Sequence, residues 1–534
     1  MISDCLPPSA YAFAFVNAGV SSRFQARTAP SCRIGPRNGY IFISAPSPHL
    51  SFVHSLSFSF IPFHFRSLFL SIMTYSVIII GAGMAGIKTA VDLYQAGELN
   101  TVVLEARDRL GGRLLSRKST LNPNVSYDFG ASWFHDALDN PLLEKAKKLR
   151  NIDYFWDDGK ALYVGQHCRS VDTAVFDKVL AEFATYCRLV YERDAHKSDM
   201  SIADLFEEYV ARHGSNCTPD QIKYARQALR MWTELWDGLS WTDSSAKFAS
   251  IADGHLGRNA FVKNGFYSVY QNELDELPRW YQEKNIRLGT QVAAIDYSDP
   301  SRVTVTTSTG EKLTADYVVV TVPLSLLSLS DPVDECYVSW TPPLPRKFTD
   351  LWPSCKFSSL GKVVLEFDQC FWPEDTHRFY VFGSDDRPTG APKPWSYPSI
   401  FVNYYAMSGT PTLVALTQDP LSSDIENMSE DQIWALFEPA VRQIATKPVV
   451  KPFQILHTPW NKDKFARGSY IGCRVNADLS HVCNTLAGGL TDRVRFAGAE
   501  TMDDSSNGCA HGAWFSGARE AQHILRHMKK RSKL

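Results

Sequence analysis

The sequence predicts an α/β protein organised around a parallel sheet, and three apolar runs carry that prediction. Ser76-Val-Ile-Ile-Ile80 ends in Gly81-x-Gly83-x-x-Gly86 and leads into a small-residue helix over 84–95. Thr101-Val-Val-Leu-Glu105 ends in an acid about twenty residues after the first strand, as a second parallel strand would. Asp316-Tyr-Val-Val-Val-Thr-Val-Pro323 reads as a buried strand returning to the same sheet.

The first strand, its glycine turn and the helix behind it present free backbone N–H groups and a positive dipole end to a pyrophosphate. Within Gly81-Ala82-Gly83-Met84-Ala85-Gly86, Gly81 permits the turn, Gly83 lets the backbone approach phosphate, and Gly86 lets the helix close on the strand. Glu105 stands where it can accept from a ribose hydroxyl. The chain continues Ala106-Arg107-Asp-Arg-Leu-Gly111-Gly112-Arg113, with arginines around a glycine pair. Arginine makes bidentate contacts to phosphate, and the glycines let the loop lie against a ligand. A nicotinamide cofactor needs no such loop, whereas the longer path of FAD does. Asp128-Phe-Gly130-Ala131-Ser132-Trp133-Phe-His135 is a small-residue turn that could bring backbone close to an isoalloxazine ring.

Composition bounds the rest. A chain of 534 residues suggests roughly two or three domains. Hydrophobic content of 44% with 21% charged residues is that of a globular protein with ample core. A net charge of -2 gives no global attraction to nucleic acid or anionic membrane, so neither is expected as a partner. The 11 cysteines include no C-x-x-C pair, which argues for free thiols, and no metal site is expected. No apolar run approaches the ~18 residues of a membrane-spanning helix.

Between 140 and 242 the chain reads as mostly helical, with 3.6-residue apolar spacing over 172–191 and 202–212. The tryptophan-dense run 231–241 is either core or the wall of a substrate tunnel. Segments 286–296, 302–307 and 312–322 read as strands with a turn at Thr309-Gly310, and Pro342, Pro343 and Pro345 mark a linker. Further strands are expected over 361–367, 413–417, 454–458 and 493–500, with helices over 431–445 and 508–527.

The ends differ from the body. Residues 1–72 are rich in Ser, Phe and Pro, with Asp4 as their one acid. A disordered extension, or translation beginning at Met73, fits them better than a targeting peptide, because prolines break any sustained amphipathic helix. The chain closes on Ser532-Lys533-Leu534, the peroxisomal address, so an import receptor is an expected partner and the peroxisome the expected location.

With these motifs in view, the sequence resembles the flavin-dependent amine oxidases, and among them the fungal polyamine oxidases, over residues 74–525. The glycine fingerprint with Glu105, the 107–113 loop and Gly130-Ala-Ser-Trp133 carry the resemblance. So do Gly361-Lys362 with Trp372, Arg467-Gly-Ser-Tyr470, Phe496-Ala-Gly-Ala-Glu500 and Asn507-Gly-Cys-Ala-His-Gly512. The resemblance implies a Rossmann-like FAD domain of the GR2 type assembled from 73–134, 251–330 and 455–528. It implies a discontinuous α+β substrate domain from 135–250 and 331–454, with 529–534 as the tail.

It also implies the reaction: hydride removal from the carbon beside a neutral amine to flavin N5, hydrolysis of the imine, and reduction of O2 to H2O2. Lys362 matches the lysine that reaches N5 through a water, and His135, with a pKa near neutrality, the residue facing the substrate amine. Glu500 resembles the carboxylate at the ribityl or pyrophosphate portion, and Val292 the valine whose backbone meets adenine. Trp460 resembles the residue packed beside the flavin, and Cys509 with Ala510 opens the last helix at its N1/C2 end. Tyr470 matches one wall of the substrate sandwich, and Cys509 stands where an aromatic would form the other. That exchange suits a slim aliphatic polyamine, and Ser469, in place of a flavin-linking cysteine, implies non-covalent FAD. Asp136, Asp243 and Asp504 are candidates for tunnel carboxylates. A second reading is an FAD-containing binding protein for a hydrophobic ligand such as a steroid, which Lys362 and His135 disfavour, and a third is an oxidase of another amine. An L-amino-acid oxidase would want an arginine clamp, and a histone demethylase an inserted helical tower.

Overall fold

The computed structural model describes residues 73–248, 255–384 and 387–531. The expectations for 1–72, for the boundary at 251 and for Ser532–Leu534 lie outside the described residues.

An eight-stranded sheet is centred on Met73–Ile80, which runs parallel to Thr101–Leu104 on one side and Lys312–Val320 on the other. Successive side chains point to opposite faces. Val77 and Ile79 enter one core with Val103 and the Met84–Gln95 helix, while Ile78 and Ile80 enter another with Val102 and Leu104. Both faces are covered, so the strand is continuously apolar rather than alternating. On its edge away from Met73–Ile80, Lys312–Val320 is shared between two further partners. Its first half pairs antiparallel with Val303–Thr307, and its second half pairs parallel with Val494–Phe496, Val318 opposite Val494. That register delivers the C-terminal segment to the glycine turn. The Met84–Gln95 helix then packs on Ala510–Arg531, so closely that a Cβ on Gly517 would stand 2.3 Å from the Ala85 carbonyl oxygen.

A six-stranded sheet follows the order Gln454–His457, Gly361–Glu366, Thr412–Thr417, Ser399–Asn403, Arg378–Val381, Ala161–Val164, antiparallel except for the last pair. Helices Asp177–Arg193, Ile202–His213 and Pro219–Asp237 cover one face. Glu430–Ile444 covers the other.

Several expectations change here. The span read as helical contains two strands, Tyr154–Trp156 and Ala161–Val164, which pair with Ala260–Val262 and Arg378–Val381. Such short strands are stabilised by partners distant in sequence and leave little local periodicity. Arg378–Val381 and Ser399–Asn403 were not anticipated either. Segment 286–296 divides into Ile286–Arg287, an edge strand of the first sheet, and Val292–Asp296, which joins its opposite side next to the other edge. The strand expected over 493–500 is Val494–Phe496 alone, followed by a 3-10 turn, and the last helix begins at Ala510. The division expected between domains also shifts. Ser339–Thr341 pairs with Val292–Asp296 in the first sheet, whereas Gln454–His457 belongs to the second.

Candidate functional site

A continuous cavity of about 410 Å3 runs from the glycine turn to Ile400 and Leu416 of the second sheet. At its nucleotide end, Gly81, Gly83, Met84, Ala85, Glu105, Ala106, Arg107, Gly112, Arg113 and Val292 line the wall. A Cβ on Gly83 would meet nothing within 4 Å, so this backbone faces open space. On Gly86 it would stand 1.9 Å from the Gly81 carbonyl oxygen, which is why the helix can start so near the strand. Glu105 is held by the turn itself, accepting from Ala82 N at 2.8 Å and Arg107 N at 2.9 Å. The arginines are pre-positioned: Arg107 pairs with Asp463 at 2.7 Å, and Arg113 Nη1 donates to the Ser469 carbonyl at 2.6 Å.

Three residues expected at the cofactor surface lie behind it. Ala82 is fully buried, its carbonyl accepting from Tyr270 Oη and Gly111 N. Gly86 packs inward on the strand. Glu500 sits 2.5 Å from Arg113 Nη2, although without the alignment of a hydrogen bond, so it supports the arginine rather than facing the cavity.

At the other end, Gly130, Ala131, Ser132, Trp133, His135, Lys362, Trp460, Tyr470, Cys509 and Ala510 come together from five separate segments. Lys362 lies on a wholly buried strand, and its ammonium donates to Asp128 O at 2.9 Å, to Gly130 O at 2.6 Å and to Ser132 Oγ. Its three donors therefore hold the 128–132 turn. Burial draws the lysine below its ordinary range and pushes the neighbouring Asp128 carboxyl above its own. Trp460 Nε1 donates to the Phe129 carbonyl at 2.8 Å, bracing the same turn. The Tyr470 hydroxyl donates to the Trp236 carbonyl, and burial pushes the Cys509 thiol up to about 12, which keeps it neutral.

His135 departs from the expected near-neutral pKa. It is exposed only in part and onto the cavity, and burial together with the adjacent His255 pushes it down to about 3. Its Nδ1 lies 3.0 Å from Asn259 Oδ1, and its ring stacks on His255 at 4.8 Å. His255 Nδ1 in turn donates to Asp136 Oδ1 at 2.9 Å, and the other oxygen of Asp136 meets His511 Nε2 at 2.9 Å and Ser505 Oγ at 2.9 Å. These hydrogen bonds hold the Asp136 carboxyl well below the usual range against the opposing effect of burial. In a neutral His255 the Nδ1 hydrogen is thereby fixed, and Nε2 carries the lone pair.

The expected tunnel carboxylates do not line the cavity. Asp136 is buried between histidines, Asp243 faces Arg474 with most of its side chain exposed, and Asp504 closes a turn onto Ser506. The acid the cavity does present at this end is Asp237, beside Trp236. The tryptophan run thus serves both purposes weighed for it, since Trp241 is core while Trp236 is cavity wall. An acid beside a tryptophan, just before Gly238, was the available signal, although Glu234 in the same run is a second acid and is instead buried against Arg230. His255 and Asn259 offered none, because only the fold stacks them beside His135.

Parallel sheet, glycine turn and long cavity define a protein built around an elongated dinucleotide cofactor. The chain belongs to the flavin containing amine oxidoreductase family, whose model matches residues 84–525, and FAD is its cofactor. It is 32% identical over 480 residues to the corticosteroid-binding protein of Candida albicans, covering 84% of this chain and 95% of that protein. It is 27% identical to probable polyamine oxidase 4 of Arabidopsis thaliana, covering 85% and 88% of the two chains. A lysine-specific histone demethylase 1 homolog of Oryza sativa subsp. japonica is also 27% identical, but this chain spans 53% of it. The donor set fits FAD: an open glycine backbone and two fixed arginines lie at one end, and a small-residue turn with the start of a long helix at the other.

Replacing Lys362 by Met is expected to slow flavin reduction or reoxidation at least tenfold, about 1.4 kcal/mol of barrier, with FAD still bound. Stopped-flow rates and the flavin-to-protein absorbance ratio check the two halves separately. His135 yields a pH prediction. Its folded pKa of about 3 lies below the ~6.5 of an unfolded histidine. Between those values the unfolded chain holds a proton that the folded one lacks, so this residue lowers stability as pH falls. His135→Asn should flatten the slope of stability with pH by up to about 1.4 kcal/mol per unit, read from urea unfolding between pH 5 and 7.

Proposed function

We propose that the protein is a polyamine oxidase acting on spermine, N1-acetylspermine or related amines, with O2 as the second substrate. The observation that carries this reading is the cavity itself, where a buried lysine, two stacked histidines and an unpaired carboxylate share one space beside the flavin-type turn. Bound FAD supplies the hydride acceptor for the carbon beside the amine and passes the electrons to O2, leaving H2O2 and an imine that hydrolyses to amine and aldehyde.

The chain's own residues set up that step. Lys362 holds the 128–132 turn, and the last helix brings its first turn, Ala510 with Ala513, to the cavity wall, where its dipole favours developing negative charge. His135 remains a neutral hydrogen-bonding ring, matched to an amine that must be uncharged to react. Asp136 orients His255 so that Nε2 can hold the proton a substrate ammonium gives up. Tyr470 provides one flat wall and the smaller Cys509 leaves room opposite, which favours an aliphatic chain over an aromatic amine. Ser469, hydrogen-bonded through its hydroxyl to Leu360 N at 2.8 Å, offers no thiol for flavin attachment, so FAD is non-covalent. The C-terminal Ser532-Lys533-Leu534 supports peroxisomal import through its receptor.

A second reading, a flavoprotein that binds a hydrophobic ligand such as a steroid, has the printed name of the Candida albicans relative in its favour. Anaerobic mixing with spermine, N1-acetylspermine, tyramine and a corticosteroid separates the two. Bleaching of the oxidised flavin band by the polyamines is the expected result, and a spectral shift without bleaching, given by the steroid alone, supports the second. Acid precipitation is expected to release all the flavin as intact FAD, and flavin retained in the pellet would contradict the non-covalent assignment.

A further inference from the structure

We infer that Asp237 anchors a second cationic nitrogen of the substrate, so that the cavity selects amines carrying a positive charge away from the carbon being oxidised. This rests on the oxidase reading above and adds to it the residue that recognises the charge.

Asp237 is the last residue of the Pro219–Asp237 helix, which Gly238 ends in a left-handed conformation at φ 67°. The turn is fixed there, because a Cβ on Gly238 would stand 2.8 Å from Leu360 N. Both carbonyls at the helix end are tied down, Trp236 O by the Tyr470 hydroxyl and Asp237 O by Ser358 Oγ at 2.8 Å. Asp237 therefore lines the cavity from a rigid support. It also adds its charge to the negative end of a 19-residue helix, and the two together favour a cation.

Elimination among the charged residues of the cavity points to the same group. Its described lining holds two acids, Glu105 and Asp237. Glu105 is occupied by two backbone N–H groups of the nucleotide turn. The lining cations already have acceptors: Arg107 has Asp463, Arg113 has Ser469 and Glu500, Arg378 has Asp157, and Lys362 has its three turn oxygens. Asp237 has Ser244 Oγ at 3.2 Å and no cation among the described residues. A half-buried carboxylate with one neutral donor is unfavourable as an anion, and its desolvation pushes it up to about 7. An incoming ammonium supplies the missing counter-charge, and the faces of Trp236 and Tyr470 beside it suit the methylenes leading to that nitrogen. A neutral steroid supplies nothing of the kind.

The test compares two ligands that differ by one terminal charge, 1,8-diaminooctane and octylamine, titrated into the FAD-containing enzyme and read by perturbation of the flavin spectrum. The wild type is expected to prefer the diamine. Asp237→Asn should weaken the diamine at least tenfold and leave octylamine within about twofold, so that the preference collapses. Equal weakening of both ligands, or of neither, overturns the inference. If Asp237→Asn does not retain FAD, Asp237→Ser carries the same expectation, and Asp237→Glu should restore the preference in part. Failure of the oxidase reading is separate: it is shown by wild-type flavin that no polyamine bleaches, whatever the ratio of the two affinities.

Discussion

One buried ammonium joins the two halves of the molecule at the point where they meet the cavity. Lys362 extends from the second sheet, and the oxygens that receive its protons belong to the turn that leads from the first sheet to His135. Removing a lysine from water is unfavourable unless every donor finds an acceptor. Here each does, and the reward is a turn of small residues held open on its other side. Trp460 braces that turn from a third segment. The chemistry at the cavity therefore depends on a polar contact that is first of all structural.

A similar economy governs the nucleotide end. Glu105 and the two arginines are secured by the protein's own groups before any ligand arrives, so little reorganisation is left to the binding step. Pre-positioning also separates the roles of residues expected together at the cofactor. Gly83 faces the cavity while Gly86 serves packing, and Arg113 faces it while Glu500 holds Arg113. The reacting end works by environment instead. Two histidines stack face to face, one of them tied to Asp136, while burial keeps its neighbour His135 neutral.

The resemblance to oxidases and to a protein named for steroid binding poses a question of charge more than of shape. A long aromatic-walled cavity suits either kind of ligand. An unpaired carboxylate and a lysine confined to its turn suit an amine, because a neutral ligand would leave the carboxylate buried without a counter-ion.

What the sequence determined by itself is the part of the protein in which neighbouring residues act together. The strand, glycine turn and helix at Met73–Gln95, the acid at Glu105 and the loop at 107–113 were all legible because their physics is local. Lys362 was legible as a charge in an apolar strand. Tertiary structure decided the rest. Short strands such as Ala161–Val164 form because a distant edge accepts their hydrogen bonds. His255, Asn259 and Asp136 surround His135 only after the chain has turned back on itself, and Asp237 meets the cavity because Gly238 ends its helix there. Burial then set the protonation states, lowering His135 and raising Asp237, since a pKa is a property of the surroundings and no stretch of sequence contains them.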